Sequence, residues 1–413
     1  MRQTNPSAGF HRPPTGVTCS EEEENNVRRA RSLKLIAGLA AAGLALAACS
    51  SGTSSSTSSS AAATSAAATS AAGSAASSAK PSAAGSAGAA TSAAAQMTGD
   101  PGSIKLGLAY DVGGRGDQSF NDLAAASLDK AKAAGVTITG ELTAAQGEPD
   151  SAKTDRLNQL IDDGATDIIA VGFAYAGALK EVAAANPDVH FAIVDDASLA
   201  DVANVASLTF TEEQGSYLVG VAAGKKTKTN KVGFIGGVNT PLIQKFQAGY
   251  EAGVKAANPG ATVTAKYISE PPDFSGFNAP DKGETIATGM YNDGIDIIYA
   301  AAGGSGAGVF KAAKATGNLG IGVDSDQYKS PTLADVKDVI MTSMLKQVDV
   351  ATYDFITSAV NGDPLTGEHK YSLSNNGIGY ATSGGMIDDI VPDLEKAKAD
   401  IIAGTVVVPS TTG

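Results

Sequence analysis

The stretch Lys231-Val-Gly-Phe-Ile-Gly-Gly237 restarts a pattern that first occurs at Lys105-Leu-Gly-Leu-Ala109. Both are short apolar runs without polar alternation. Such runs suit parallel strands covered by helices on both faces. A second pair repeats the point, because Asp296-Ile-Ile-Tyr-Ala300 echoes Asp167-Ile-Ile-Ala-Val171. A β/α set that occurs twice in order predicts two similar lobes rather than one large sheet.

Working outward, the first set reads as strand 104–110, helix 121–134, strand 136–142, helix 151–163 closed by Gly164, strand 167–171, helix 177–185, and strands 190–194 and 205–208. Leu123, Ala124, Leu128 and Ala131 recur at helical spacing in the first helix. The second set reads as strand 231–237, helix 242–258, strands 263–268 and 296–300, helix 309–316 and strand 320–323. The expected fold is α/β, with two doubly wound parallel-sheet lobes joined by a hinge. Helical links at 212–226 and 346–360 carry the chain across. They assign 104–210 plus about 345–365 to the N-terminal lobe, and 211–344 plus about 366–413 to the C-terminal lobe. Ligands of such sheets bind beyond the carboxyl ends of the strands, here in the cleft where the lobes face each other.

The front of the chain has another character. Residues 28–34, Arg-Arg-Ala-Arg-Ser-Leu-Lys, precede fourteen uncharged residues at 35–48. A basic segment followed by an apolar run too short to span about 30 Å of hydrocarbon reads as an export signal, so 1–48 is the signal region. It ends Leu46-Ala47-Ala48-Cys49, which resembles the lipobox of bacterial lipoproteins and makes Cys49 the expected lipidation site. Residues 50–95 hold only Ala, Ser, Thr and Gly besides Lys80 and Pro81. Such a stretch has little to bury against its ordering entropy, so 49–103 reads as a lipidated, disordered tether. Pro13-Pro14 and the run Glu21–Glu24 ahead of the basic segment suggest translation starting near Val27.

Charge and rare residues exclude whole classes. Of 413 residues, 30 are Lys or Arg and 43 Asp or Glu; residues 98–413 hold 23 and 39 of these, a net −16. A body that acidic is a poor partner for nucleic acid or anionic lipid surfaces. Both cysteines, Cys19 and Cys49, precede it, so it has no disulfide, thiolate metal site or cysteine nucleophile. The histidines are His11, His190 and His369, too few for a His-rich metal site. No metal or cofactor is expected.

Motifs for chemistry mostly fail. Gly220-Val-Ala-Ala-Gly-Lys-Lys-Thr has three residues between its glycines rather than four and follows no strand, so it reads as a helix end. Gly303-Gly-Ser-Gly-Ala-Gly308 lies between a strand and a helix and suits close approach to a polar ligand group rather than a dinucleotide. The acid pairs Asp195-Asp196 and Asp388-Asp389, with His190 and His369, are the candidate acids and bases, and none has the spacing of a catalytic set. The segment Tyr110-Asp-Val-Gly-Gly-Arg-Gly-Asp-Gln-Ser-Phe-Asn-Asp122 leaves a strand, turns on glycines and enters a helix capped by Ser119 or Asp117. That places Asp111, Phe120 and Asn121 either at the cleft or, for Phe120, in the core.

Further stretches are Phe191-Ala-Ile-Val-Asp195, Glu213-Gln-Gly-Ser-Tyr217, Phe246-Gln-Ala-Gly-Tyr250, Ile321-Gly-Val-Asp-Ser-Asp-Gln327 and Thr342-Ser-Met-Leu-Lys346. In this order and spacing, from 104 to about 391, they resemble the basic membrane protein (Bmp) family, the purine-nucleoside-receptor-like substrate-binding lipoproteins of ABC transporters. The resemblance implies a type I periplasmic-binding-protein fold that closes on a nucleoside of the adenosine, guanosine or inosine class. It implies an ABC permease as partner, a lipid anchor on the extracytoplasmic face of the cell membrane, and a monomer without enzymatic activity. By position it implies Phe120 and Phe277 on the two faces of the base, with Phe274 a near competitor and Ala279 where the family usually has an acid. Asp111 and Asn121 would meet the base edge, Asp324 and Lys346 the ribose hydroxyls, and Asp195 with Gly303 and Gly304 the remaining cleft. Stacking on a neutral base and carboxylates on hydroxyls suit the acidic body. The competing readings are a sugar or autoinducer receptor of the same fold, a nucleoside-processing enzyme, and a transcription regulator sharing the two-lobed fold.

Overall fold

The computed structural model describes residues 96–413. The signal region, Cys49 and residues 50–95 of the expected tether lie outside these. Lobe one opens with β1 (Lys105–Tyr110), α1 (Phe120–Ala133), β2 (Thr137–Thr143), α2 (Asp150–Asp162), β3 (Asp167–Ala170), α3 (Ala176–Ala185), β4 (His190–Val194) and β5 (Val205–Phe210). Lobe two follows with α4 (Glu212–Lys226), β6 (Lys231–Val238), α5 (Pro241–Ala257), β7 (Thr262–Ser269), α6 (Pro280–Asn292), β8 (Ile297–Ala301), α7 (Gly306–Thr316), β9 (Leu319–Asp324) and β10 (Ile340–Lys346). The chain then re-enters lobe one as α8 (Val348–Val360) and β11 (Gly367–Tyr371), and ends in lobe two as β12 (Ile378–Tyr380) and α9 (Val391–Ile402).

Each lobe holds a six-stranded sheet, ordered β2-β1-β3-β4-β5-β11 and β7-β6-β8-β9-β10-β12. All pairings are parallel except β10 with β12. The unalternating runs are the sheet centres: β3 and β5 are buried along their whole length, as strands covered by helices on both faces must be.

Two boundaries differ from the sequence reading. Residues 366–371 were expected in the C-terminal lobe, yet β11 pairs with β5 in lobe one. As an edge strand with every other residue more exposed, Gly367-Glu-His-Lys-Tyr lacks the apolar run that marks an interior strand. Residues 96–103, expected to finish the tether, instead dock on lobe one. Asn361 Oδ1, at the C-cap of α8, accepts from Thr98 N at 2.7 Å and Gly99 N at 2.9 Å.

The segment 220–227 closes a helix as expected, but its first glycine has a further task. Helix α4 is buried nearly all round and lies against α5 at backbone contact. A Cβ on Gly220 would sit 2.3 Å from Tyr250 O, and one on Gly253 would sit 2.1 Å from Tyr217 O. The apparent phosphate loop is therefore a helix–helix contact that only glycine fits. No helix among the described residues is long and apolar enough to cross a membrane.

Candidate functional site

The carboxyl ends of three strands in each lobe converge on one cleft. Lobe one contributes Asp111 after β1, Gly172 and Phe173 after β3, and Asp195 after β4. Lobe two contributes Ala302 and Gly303 after β8, Asp324 at the end of β9 and Lys346 at the end of β10. Phe120 and Asn121 open α1, Leu242, Ile243 and Phe246 open α5, and Phe277 ends a short 3-10 turn (Phe274–Phe277). The cleft holds about 570 Å³ between atoms, its open mouth included.

Asp117 organises the first strand-to-helix turn. Its Oδ1 accepts from Ser119 N and Asp122 N at 3.0 and 3.1 Å, and its Oδ2 from Asn121 N and Nδ2 at 2.8 and 3.0 Å. It thereby satisfies the free N–H groups at the start of α1. Of the two expected caps, Asp117 does this work; the Ser119 hydroxyl crosses to lobe two and donates to Asp324 Oδ2 at 2.5 Å. Asn121 Oδ1 accepts from Asp111 N at 3.0 Å. Its amide therefore holds Asp111 and Asp117 in place, with one N–H remaining. Burial pushes the carboxyls of Asp111 and Asp117 up to about 6, against the backbone N–H bonds that favour their ionised forms.

Near the crossovers lies a buried charge cluster. Lys346, 1% exposed, donates to Asp195 Oδ2 at 2.5 Å across the lobes and lies 3.5 Å from Glu212 Oε1 at the start of α4. Lys245 reaches Glu212 from the other side at 3.3 Å. Burial opposes the Lys346 charge, but Asp195, Glu212 and Asp324 outweigh burial and hold the ammonium above its usual range. Burial raises Asp195 to about 7, which Lys346 opposes and Glu212 reinforces. It raises Asp324 too, against Lys346 and the Ser119 hydroxyl. Asp195 Oδ1 is buried with no hydrogen-bond partner among the described residues.

Asp195 and Asp324 share an unusual backbone. Both are left-handed, at φ 69° and 63°, as is Gln118 at φ 59°. Such positions carry strain of order 1–3 kcal/mol outside glycine and cluster at functional sites; Asp and Asn tolerate them best.

Aromatic rings supply the apolar walls. Phe120, Phe173, Phe246 and Phe277 line the cleft. Phe277 packs on Gly237, where a Cβ would sit 2.4 Å from its ring. Phe274 is not among the lining residues; it meets Phe173 edge-on at 5.9 Å. The Lys346 ammonium lies 5.0 Å from the ring centres of Phe120 and Phe210 and 5.6 Å from that of Phe246, within cation–π range.

The remaining candidates sit elsewhere. Gly304 does not line the cleft; a Cβ there would sit 3.3 Å from Asn278 Oδ1 and 3.7 Å from Asp117 Cα. His190 pairs with Asp167 at 3.3 Å, and His369 Nε2 meets Thr366 O at 3.0 Å. Asp196 caps its own loop at Ser198, and Asp389 pairs with Lys226. Among the described residues no group of three or more His, Cys, Asp or Glu could hold a metal ion.

Likeness to known proteins gives the family. The family model described as ABC transporter substrate-binding protein, PnrA-like, matches residues 104–412. The chain belongs to the Bmp family. Among its relatives is the CD4+ T-cell-stimulating antigen of Listeria monocytogenes, 38% identical over 74% of this chain and 87% of that protein. The ABC transporter nucleoside-binding protein BmpA of Lactococcus lactis is 34% identical over 74% and 89%. An ABC solute-binding protein of Aeropyrum pernix, 27% identical over 74% and 94%, superposes with a TM-score of 0.63. This Bmp-family chain is thus an ABC transporter substrate-binding protein with the periplasmic-binding-protein fold. Sequence reasoning missed Phe173, Phe246 as a wall, and Glu212. Phe246 stood inside a quoted stretch and Glu212 one residue before another, but a charge at a helix start is ordinarily solvated, and only the fold buries this one.

Proposed function

We propose that this chain is a lipid-anchored extracytoplasmic receptor, acting as a monomer, that binds a purine nucleoside between its lobes and delivers it to an ABC permease. One observation carries the reading. The cleft is walled by phenylalanines and lined by carboxylates, while its one lining cation among the described residues, Lys346, is committed to Asp195 and Glu212. That environment suits a flat, neutral ligand with donors on its rim and disfavours a phosphate. Phe120 and Phe277 flank the base, and Asp111, held by Asn121, takes its edge. Asp195 Oδ1 and Asp324 accept ribose hydroxyls, with Gly303 closing the cleft. Lys346, paired with Asp195 and Glu212, opposes the burial that favours the protonated carboxyls and holds Asp195 in place rather than meeting the ribose hydroxyls as the resemblance implied. The Lactococcus relative's name supports the ligand class.

Calorimetry with adenosine, guanosine and inosine against ribose and glucose tests this. Binding of the nucleosides and not of the sugars is expected. Phe120→Ala should weaken every purine nucleoside by roughly 1–3 kcal/mol, since stacking distinguishes bases little. Unchanged affinity in that variant would mean that Phe120 is core.

The anchor is tested separately. Cys49→Ala should move the protein out of the membrane fraction or block its processing, because stable attachment requires the acyl chains that Cys49 would carry. Unaltered fractionation would rule Cys49 out.

A further inference from the structure

The stretch Ile321-Gly-Val-Asp-Ser-Asp-Gln327 contains two residues, Ser325 and Gln327, to which the ligand site gives no role. Neither lines the cleft. Both reach across it to one atom of the opposite lobe, the Gln118 carbonyl. Ser325 Oγ donates to it at 2.8 Å and Gln327 Nε2 at 3.1 Å. Gln327 is 1% exposed and braced: its Oε1 accepts from Val323 N at 3.1 Å and its N donates to Ser343 Oγ at 3.2 Å. Gln118 presents its carbonyl from a left-handed backbone at φ 59°, while its N donates to Asp122 Oδ2 at 2.9 Å. Beside them runs a further interlobe bond, Ser119 to Asp324.

We infer that 117–119 of lobe one and 324–327 of lobe two form a closure latch, in which Ser325 and Gln327 set how long the closed state lasts without touching the ligand. Interactions made only between the lobes stabilise the closed state alone, and a group favouring one of two states shifts the equilibrium by its differential energy. Gln327 is rigid before closing, so little freedom is lost when it engages. The strain at Gln118 is explained on the same footing, because the left-handed turn lets one carbonyl take two donors. Ser325 and Gln327 are therefore positioning residues of the receptor. The inference rests on the receptor reading but not on the nucleoside.

Two variants of the full chain test it. Ser325→Ala removes one donor. Gln327→Glu keeps the shape and the acceptor for Val323 N but sets a carboxylate oxygen against the Gln118 carbonyl. Interlobe distance is read by fluorescence transfer between unnatural-amino-acid labels at the exposed Glu181 and Lys311, with guanosine release followed by stopped flow. Losing one hydrogen bond should lower the closed fraction and speed guanosine release about 3- to 10-fold, with association unchanged. Gln327→Glu should exceed Ser325→Ala. Ser325→Ala should melt within a few degrees of the parent, while Gln327→Glu, which buries a carboxyl, should lose more. A closed fraction and release rate equal to the parent's in both variants overturn the latch. Release that changes for guanosine but not adenosine also overturns it, since it would mean contact with the base. A chain that ignores guanosine defeats the nucleoside reading, while the distances without ligand still judge the latch.

Discussion

Lys346→Met is expected to lower folding stability by about 3–5 kcal/mol near neutral pH, the range for removing one partner of a buried ion pair. The methionine fits the ring cage of Phe120, Phe210 and Phe246, so lost packing contributes little; the loss comes from Asp195, Glu212 and Asp324, left without the ammonium that balances them. Burial already raises Asp195 from 3.8 to about 7. A raised folded value means that this group's contribution to stability is complete below 3.8 and is lost as pH rises through about 7. Without Lys346 the carboxyl should hold its proton to higher pH still. The variant's deficit should therefore shrink on acidifying from about pH 8 to about pH 5, while the parent changes less over that window. Denaturant unfolding at several pH values measures both. A loss below about 1 kcal/mol that does not vary with pH would show that Lys346 does not balance the cluster.

Gly220→Ala is expected to cost about 3 kcal/mol, at the upper end for overpacking a tight contact. Alanine in a helix gains roughly 1 kcal/mol over glycine, so propensity alone predicts the opposite sign. The clash decides it, because the new Cβ would sit 2.3 Å from a backbone oxygen, Tyr250 O, which cannot rotate away. Gly289, within α6, supplies the control: a Cβ there meets nothing within 4 Å, and Gly289→Ala should be neutral or stabilising by up to about 1 kcal/mol. Thermal and urea unfolding of the two variants compare them directly. If Gly220→Ala raised the melting temperature as Gly289→Ala does, α4 and α5 would not be held at backbone contact.

Much of the architecture was legible in the chain because interior parallel strands must be apolar on both faces, and such runs announce themselves at β1, β3, β6 and β8. Edge strand β11 did not, since one side of it meets water and its polar residues alternate. Strand β10 was hidden too: Thr342 and Ser343 interrupt its apolar run, and only the fold shows Thr342 bonded to Ala381 O at 2.6 Å and Ser343 to Gln327. In the cleft, Asp111 and Asn121 were readable from a strand–turn–helix pattern, which brings them to one strand end by local geometry, whereas that pattern left Phe120 open between cleft and core. Choosing between Phe277 and Phe274 was not, because two aromatic residues three apart on a short turn differ only in what each meets.

The sequence alone determined the two β/α sets, the strand ends that face the cleft, and an acidic body short of Cys and His, because periodicity, composition and turn chemistry are local properties of the chain. Tertiary structure decided the rest. It made Lys346 the counter-ion of Asp195 across 151 residues. It buried Glu212, turned glycines of α4 and α5 into a helix contact, and set Ser325 and Gln327 on the Gln118 carbonyl. Each of these depends on the distance between groups far apart in sequence, and the energies that matter there, desolvation, Coulomb attraction and steric overlap, vary with that distance and have no counterpart in local pattern.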